Sequence, residues 1–164
     1  MGGPSKSERL HFDEDVLMAS PLRPAFEIMN GLSQINLEIR TIFGLRPVDM
    51  AVLHELMLAA AQKVVRQPSL AAAIGPRMQV PDDLRGTMSR RAASRALELP
   101  FETVRRSVAR LKTCGLVEER GRGKLVVTDR VIAIERIKET FASVAGRWIA
   151  VADRLVQLGV ARVC

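Results

Sequence analysis

Apolar residues in the first part of the chain recur every three or four positions. Between residues 21 and 43 they are Ile28, Leu32, Ile35, Ile39 and Ile42. This spacing predicts a helix with one apolar face, and Gly44 is suited to ending it. A second helix is predicted from Pro47, whose missing N–H has no cost in a first helical turn, to Pro68. Its apolar positions are Met50, Leu53, Met57, Ala60 and Val64.

The last part of the chain shows an unbroken alternation of steps of three and four between apolar residues. These are Ile134, Ile137, Phe141, Val144, Trp148, Val151, Leu155 and Leu158. Thr128 or Asp129 can cap the predicted helix, which would reach about Leu158 and measure ~45 Å. A heptad pattern this long should be covered by a partner helix. The partner is either the 28–42 helix of the same chain or a second copy, in which case the eight residues form a dimer interface.

Residues 89–128 have the pattern of two short helices followed by a hairpin. Ser89 can cap the first helix, "RRAASRAL", and Pro100 suits the opening of the second, "FETVRRSVARLKTCG". In the second helix Val104, Val108 and Leu111 are spaced to face inward, and Gly115 favours its end. The letters "LVEER", "GRG" and "KLVVT" then predict two strands around a glycine-containing turn.

The remaining segments carry weaker patterns. Residues 68–88 hold three prolines and two glycines and predict a connector, with a helical turn at 70–74 and a short strand near 87–88. Residues 1–20 are rich in Gly, Pro, Ser and mixed charge, and predict a poorly ordered tail. The predicted organisation is therefore a tail (1–20), N-terminal helices (21–67), a connector (68–88), two helices with a hairpin (89–128) and a C-terminal helix (129–164). At 164 residues we expect one compact unit with helical extensions.

The formal charge of +7 is located in one part of the chain. Residues 85–130 contain 12 Lys and Arg against 5 Asp and Glu, whereas the rest of the chain contains 13 of each sign. A charge concentrated in this way indicates a polyanionic partner, of which nucleic acid is the commonest. An anionic membrane surface is disfavoured, because aromatic residues make up only 4% of the chain and Tyr is absent.

Several classes of protein are not indicated by the sequence. No apolar run approaches the roughly 18 residues of a membrane span, and the first residues lack the pattern of a secretory signal, so a cytoplasmic protein is expected. Cys114 and Cys164 are the only cysteines, too few for a disulfide framework. With His11 and His54 they show no metal-ligand spacing. No catalytic triad, P-loop or dinucleotide-binding glycine pattern is present, so neither an enzyme nor a cofactor is expected.

The segment "SRRAASRALELPFETVRRSVARLKTCGLVEERGRGKLVVT" resembles the DNA-binding core of bacterial transcriptional regulators of the MarR and GntR type. The likeness lies in a helix of small residues, a turn, "TVRR" with a following Leu, and "GLV" before the hairpin. It implies a mainly α fold with a small β-hairpin wing, in which a winged helix-turn-helix is flanked by N- and C-terminal helices. It also implies double-stranded DNA as partner and, for the MarR type, dimerisation through the terminal helices.

Under this interpretation the helix of residues 100–114 enters the major groove and reads bases. Arg105 and Arg106 are the main candidates for base or phosphate contacts, and Arg122, between two glycines, is expected at the minor groove or its phosphates. The full set of predicted DNA-contacting residues is Arg90, Arg91, Arg95, Phe101, Glu102, Thr103, Arg105, Arg106, Arg110, Arg122 and Lys124. Arg90, Arg91 and Arg95 are expected to hold the DNA backbone without reading sequence.

Alternatives remain open at this stage. The winged helix could serve as a protein-interaction module in a larger assembly, or the basic segment could bind RNA or DNA without sequence preference. A small-molecule effector could occupy an apolar pocket lined by Phe26, Met29, Met50 and Met57, although core packing is the expected role of these residues. Cys114 is expected to be a small semi-buried residue and not a redox switch.

Overall fold

The computed structural model describes residues 9–74, 80–131, 133 and 137–163. The described residues are mainly helical, with two small antiparallel sheets. In chain order the elements are β1 (Leu10–Phe12), α1 (Glu14–Ala19), α2 (Leu22–Phe43), α3 (Pro47–Val65), α4 (Pro68–Ile74), β2 (Met88–Ser89), α5 (Arg90–Ala96), α6 (Phe101–Thr113), β3 (Val117–Arg120), β4 (Lys124–Val127), a 3-10 turn (Asp129–Val131), α7 (Ile137–Gln157) and β5 (Ala161–Val163). None of the described helices is both long and apolar enough to cross a bilayer.

The chain folds into two compact units, where the sequence predicted one. The terminal unit comprises Met1–Thr41 and Lys138–Cys164, and the central unit comprises Ile42–Ile137. The two ends of the chain meet in the terminal unit because β1 and β5 pair antiparallel, with Leu10 opposite Val163 and Phe12 opposite Ala161. A pairing between segments so distant in sequence has no local signature.

Within the terminal unit α2 and α7 run antiparallel. Glu38 of α2 accepts hydrogen bonds from Ser143 Oγ at 2.5 Å and Arg147 Nε at 2.8 Å. Nearer the start of α2, Glu27 pairs with Arg154 near the end of α7. Between these pairs, the Val151 side chain lies against Gly31, where a Cβ would overlap it. The helix pairing within one chain, one of the two partners predicted for the last helix, is therefore present.

Two boundaries in the terminal unit differ from the sequence prediction. Residues 10–12 and 14–19 form β1 and α1 instead of a tail, because Asp13 accepts a bond from Val16 N–H at 3.1 Å and pairs with Arg162 beyond α7. The C-terminal helix begins at Ile137 and not near residue 129, where a 3-10 turn lies. Ile134 lies outside the described residues. Ile137 is only 4% exposed, so it belongs to the core of the chain and is not available as a dimer contact.

The central unit is built around α3, whose Val52, Leu53 and Leu56 are fully buried. Helices α5 and α6 and strand β4 pack against it. The sheet has the order β2-β4-β3, with Met88 opposite Leu125 and Val117 opposite Val127. The prediction that Val104, Val108 and Leu111 face inward is confirmed, since all three are buried. The predicted short strand near residues 87–88 is present as β2.

The end of the predicted connector is fixed by Arg85 and Gly86. Arg85 donates to the carbonyl oxygens of Val127 at 3.0 Å and Val80 at 2.8 Å, and it pairs with Asp129. One cation of the basic segment therefore ties the connector to the end of β4. Gly86 N–H donates to Ala60 O of α3 at 3.1 Å, and a Cβ on Gly86 would overlap the carbonyl oxygen of Ala59. Glycine is required here by close backbone approach.

Gly86→Ala is expected to destabilise the protein by about 2 kcal/mol, because the connector must move away from α3 and loses its hydrogen bond to Ala60. Urea unfolding followed by circular dichroism measures this. Gly146→Ala on α7 is the matched control, since its new methyl group would have no atom of the described residues within 4 Å apart from the adjacent backbone of its own helix. Alanine favours a helix interior by up to about 1 kcal/mol, so the control should be neutral or more stable. Equal stabilities for the two variants would contradict the close approach at Gly86.

Candidate nucleic-acid interface

Helices α5 and α6 are joined by a short turn, and the antiparallel strands β3 and β4 follow α6 directly in the chain. Ser89 caps α5 as predicted, accepting a bond from Ala92 N–H at 3.1 Å. In the turn, Glu98 has a left-handed conformation with φ 53°, and Ser94 Oγ donates to Leu99 O at 2.6 Å. Pro100 then directly precedes the first residue of α6. The apolar stripe of α6 faces the core, so its arginine-bearing side is left to solvent.

A buried carboxylate anchors α6 on α3. Asp49, in the first turn of α3, is 2% exposed. It accepts bonds from Ser107 Oγ at 2.6 Å and from Arg110 Nε and Nη2 at 2.8 and 2.6 Å. Burial alone raises the pKa of Asp49, but the bonds from Arg110 and Ser107 and the positive charges of Arg110 and Arg46 outweigh burial, and its pKa is lowered.

This anchor changes the interpretation of Arg110, which was predicted to contact DNA. Its guanidinium is held bidentately by the buried Asp49 of another helix, so Arg110 fixes the position of α6 on α3, and its contact with DNA stays a prediction. Sequence reasoning missed Asp49 and Ser107. An acidic residue in a first helical turn is explained by the helix dipole alone, and the two residues are 58 positions apart. The sequence signal was the presence of Ser107 and Arg110 on the inward flank of α6, because polar side chains at such positions need a polar partner.

On the outer side of α6, Arg105 and Arg106 have exposed side chains, at 54% and 69%. Both donate to Glu102, one turn earlier: Arg105 Nε and Nη2 at 2.7 and 2.8 Å, and Arg106 Nε at 2.9 Å. The hydrogen bonds from Arg105 and then Arg106 lower the pKa of Glu102 to about 2. Glu102 was predicted to contact DNA. The structure instead occupies both of its oxygens with the neighbouring arginines.

Beside these arginines lies a hollow of about 570 Å³ on the outer side of α6. Its lining residues are Arg90, Phe101, Arg105, Ala109, Lys112 and Thr113. Phe101 is exposed, whereas Thr103, which lies in the first turn of α6 and was also predicted to contact DNA, is half-buried. The structure thus brings Arg90 of α5 together with the outer side of α6, and it adds Lys112, which sequence reasoning did not select.

A second carboxylate, Glu119 of β3, joins the two helices to the hairpin. Arg90 donates to its Oε1 and Oε2 at 3.2 and 2.7 Å, and Lys112 Nζ donates to Oε2 at 3.2 Å. These bonds, the one from Arg90 first, lower the pKa of Glu119 to about 2. Arg90 was predicted to hold the DNA backbone. Its pairing with Glu119 makes it part of the framework that orients α5, α6 and β3.

Four of the cations predicted to contact DNA lie on α5 and at the hairpin and are not used in the contacts described above. Among the described residues, no ion pair involves Arg91, Arg95, Arg122 or Lys124, and all four are exposed. Gly121 and Gly123, on either side of Arg122, have φ of 58° and 73°, a conformation that glycine adopts without strain. The predicted turn with an arginine at its tip is therefore present between β3 and β4.

The predicted dimer residues other than Ile134 and Ile137 lie in the terminal unit, on α7 or, for Leu158, directly after it. Phe141 and Trp148 are exposed, and Val144, Val151, Leu155 and Leu158 are half-buried. Helix α2 has a further exposed apolar set, formed by Leu22, Phe26, Met29 and Leu37.

Core packing, expected for the four residues of the proposed effector pocket, holds for Met50 but not for Phe26 or Met29. Cys114, expected to be semi-buried, is exposed.

In the described part of the chain, no group of three or more His, Cys, Asp or Glu side chains is arranged to hold a metal ion. Comparisons with family models, with curated proteins and with solved structures return no match.

Proposed function

We propose that this protein is a cytoplasmic, sequence-specific DNA-binding transcriptional regulator that acts as a homodimer and is not an enzyme. In this proposal the central unit is a winged helix-turn-helix of the kind found in MarR and GntR regulators, with α6 in the major groove. The observation that carries the proposal is the exposed pair Arg105 and Arg106 on the outer side of α6, in the same unit as a hairpin with Arg122 at its tip.

The dimensions of α6 are compatible with groove insertion. Its 13 residues correspond to a rod of about 20 Å, and a helix about 10–12 Å across fits the roughly 12 Å width of the major groove. Arginine can form two parallel hydrogen bonds with guanine O6 and N7, and the exposed Phe101 can contact a thymine methyl group. Arg91, Arg95 and Lys124, all exposed, supply charge for phosphate contacts that position the protein without reading sequence.

A homodimer is supported by the distribution of exposed apolar residues. Of the fourteen large apolar side chains exposed among the described residues, eleven lie in the terminal unit, and Leu58, Val65 and Phe101 lie in the central unit. Contiguous apolar surface on a folded protein marks an interaction surface. A two-fold dimer would present two α6 helices to successive major grooves about 34 Å apart.

A second candidate function is a protein-interaction module within a larger assembly. It is favoured by the same apolar surface on α2 and α7, and by the pairing of the α6 arginines with Glu102, which reduces the charge offered to DNA. This candidate predicts that the purified protein ignores duplex DNA and is stabilised by a different polypeptide.

Selection of bound duplexes from a random DNA pool tests the proposal. A two-fold palindrome with half-sites centred about one helical turn apart is the expected outcome, because it reflects both base reading by α6 and the symmetry of a dimer. Enrichment of a single unrepeated site would contradict the homodimer. Failure to enrich any sequence, with binding of random duplex only, would contradict specific recognition, and no duplex binding at all would favour the interaction module.

A further inference from the structure

The contacts between Glu102 and its two arginines leave particular N–H groups available. Within the described part of the chain, Arg106 bonds to Glu102 through Nε alone, so both of its terminal nitrogens can reach another acceptor. Arg105 uses Nε and Nη2, which leaves Nη1 and one N–H of Nη2. The two terminal nitrogens of an arginine can form the two parallel hydrogen bonds to guanine O6 and N7. Glu102 therefore holds Arg106 through Nε, and the two terminal nitrogens stay available for a base.

The same carboxylate reduces the attraction of α6 for phosphate. Two unpaired arginines on an exposed helix face would bind the backbone of any duplex, because each phosphate contact releases counterions whatever the sequence. With Glu102 beside them, the three side chains carry one net positive charge instead of two. A phosphate must then compete with a carboxylate for the arginines, whereas a guanine edge can bind Arg106 while its Nε stays on Glu102.

We propose that Glu102 is a specificity-determining residue, which orients the arginines of α6 for base edges and suppresses their binding to phosphates at non-cognate sites. This inference rests on the proposed DNA-binding function. It replaces the role expected for Glu102 from its residue type, that of a direct hydrogen-bond acceptor for cytosine, since both of its oxygens already accept from arginine.

The test compares the full chain with its Glu102→Gln variant, using the duplex enriched from the random pool and a scrambled duplex of equal length. Removing the carboxylate charge should raise affinity for the scrambled duplex several-fold. It should also steepen the plot of log affinity against log salt concentration by about one unit for each additional phosphate that the arginines bind. Affinity for the enriched duplex should rise less or fall, so that the ratio of the two affinities drops about tenfold, the size of one good base contact.

Two further variants separate this role from a general charge or folding effect. Glu55→Gln makes the same charge change on α3, where Glu55 lines a different hollow with Leu58 and Val65, and it should leave the affinity ratio unchanged. Glu102→Asp keeps the charge and should retain most of the discrimination. A purely structural role for Glu102 would weaken binding to both duplexes alike, the opposite of the expected rise in affinity for scrambled DNA.

An unchanged affinity ratio in Glu102→Gln, while the wild type still prefers its enriched duplex, would overturn the inference and leave the proposed function intact. An equal drop in the affinity ratio of the Glu55→Gln variant would also overturn the inference, because net charge alone would then explain the effect. If the wild type binds no duplex, the proposed function fails and the inference fails with it.

Discussion

Asp49→Ala is expected to lower the free energy of unfolding by about 3 kcal/mol, because it removes a buried carboxylate that accepts three hydrogen bonds from α6. The substitution leaves the fully buried Ser107 hydroxyl without its acceptor and Arg110 without its carboxylate. Urea unfolding should be followed by circular dichroism or hydrogen exchange of the central unit. The single tryptophan, Trp148, lies in the terminal unit, so its fluorescence reports on a different part of the chain.

Two control variants define what the Asp49 result means. Asp153→Ala removes an exposed carboxylate from α7 and should change stability by less than about 0.5 kcal/mol. Asp49→Asn keeps an oxygen acceptor but loses the charge, so its decrease in unfolding free energy should lie between those of Asp153→Ala and Asp49→Ala. Equal stability of the Asp49→Ala and Asp153→Ala variants would show that the anchor between α3 and α6 contributes nothing.

The lowered pKa of Asp49 also predicts a pH dependence. A carboxyl group whose pKa is lower in the folded than in the unfolded chain stabilises the fold above its unfolded value, and this stabilisation disappears as the pH falls through the folded value. The ordinary value is 3.8. The difference in unfolding free energy between wild type and Asp49→Asn should therefore be constant near neutral pH and shrink below about pH 4. A difference that persists undiminished in acid would contradict the charged pairing.

The second large effect is expected at the DNA. Replacing Arg105 and Arg106 together by alanine should weaken binding to the enriched duplex by about tenfold to a hundredfold, if either arginine bonds to a base through two hydrogen bonds. The fold should be unaffected, since both side chains are more than half exposed. Gel-shift titrations on enriched and scrambled duplexes measure the change and its dependence on sequence.

Arg122→Ala and a charge-matched double variant serve as comparisons. Loss of Arg122 at the hairpin tip should weaken binding to all duplexes similarly and reduce the salt dependence by about one unit, as for a phosphate contact. Arg23→Ala with Arg40→Ala removes two exposed cations from α2 and should leave sequence preference unchanged. If the Arg105 and Arg106 variant retains its preference for the enriched duplex, α6 does not read the bases.

The local pattern of the sequence was sufficient to predict most helices of this protein. The end of α2, the starts of α3 and α5, and both ends of α6 lie within two residues of Gly44, Pro47, Ser89, Pro100 and Gly115, because capping and helix termination depend on neighbours in the chain. The inward stripe of α6 also followed from spacing alone. For the same reason, the outward position of Arg105 and Arg106 was predictable, since a helix that buries one face must present the other.

The partners of the charged residues were decided by the tertiary structure. Twelve basic residues in one segment indicated a cationic surface, yet Arg85, Arg90 and Arg110 are each held by a carboxylate from a separate element. Spacing within a helix could have indicated the pairing of Glu102 with its arginines. No local rule indicates that Asp49 pairs with Arg110 or Glu119 with Arg90. The distance between the two partners of each pair is set by how α3, α5, α6 and β3 pack.

The sequence by itself determined where most of the helices lie, which face of those helices is apolar and which segment carries the positive charge. All of these depend on interactions between residues a few positions apart. Only the tertiary structure decided that the chain ends pair as β1 and β5, that α7 packs on α2, and which of the described cations are held by carboxylates. Those outcomes depend on contacts between residues far apart in sequence, which form only when the elements have packed together.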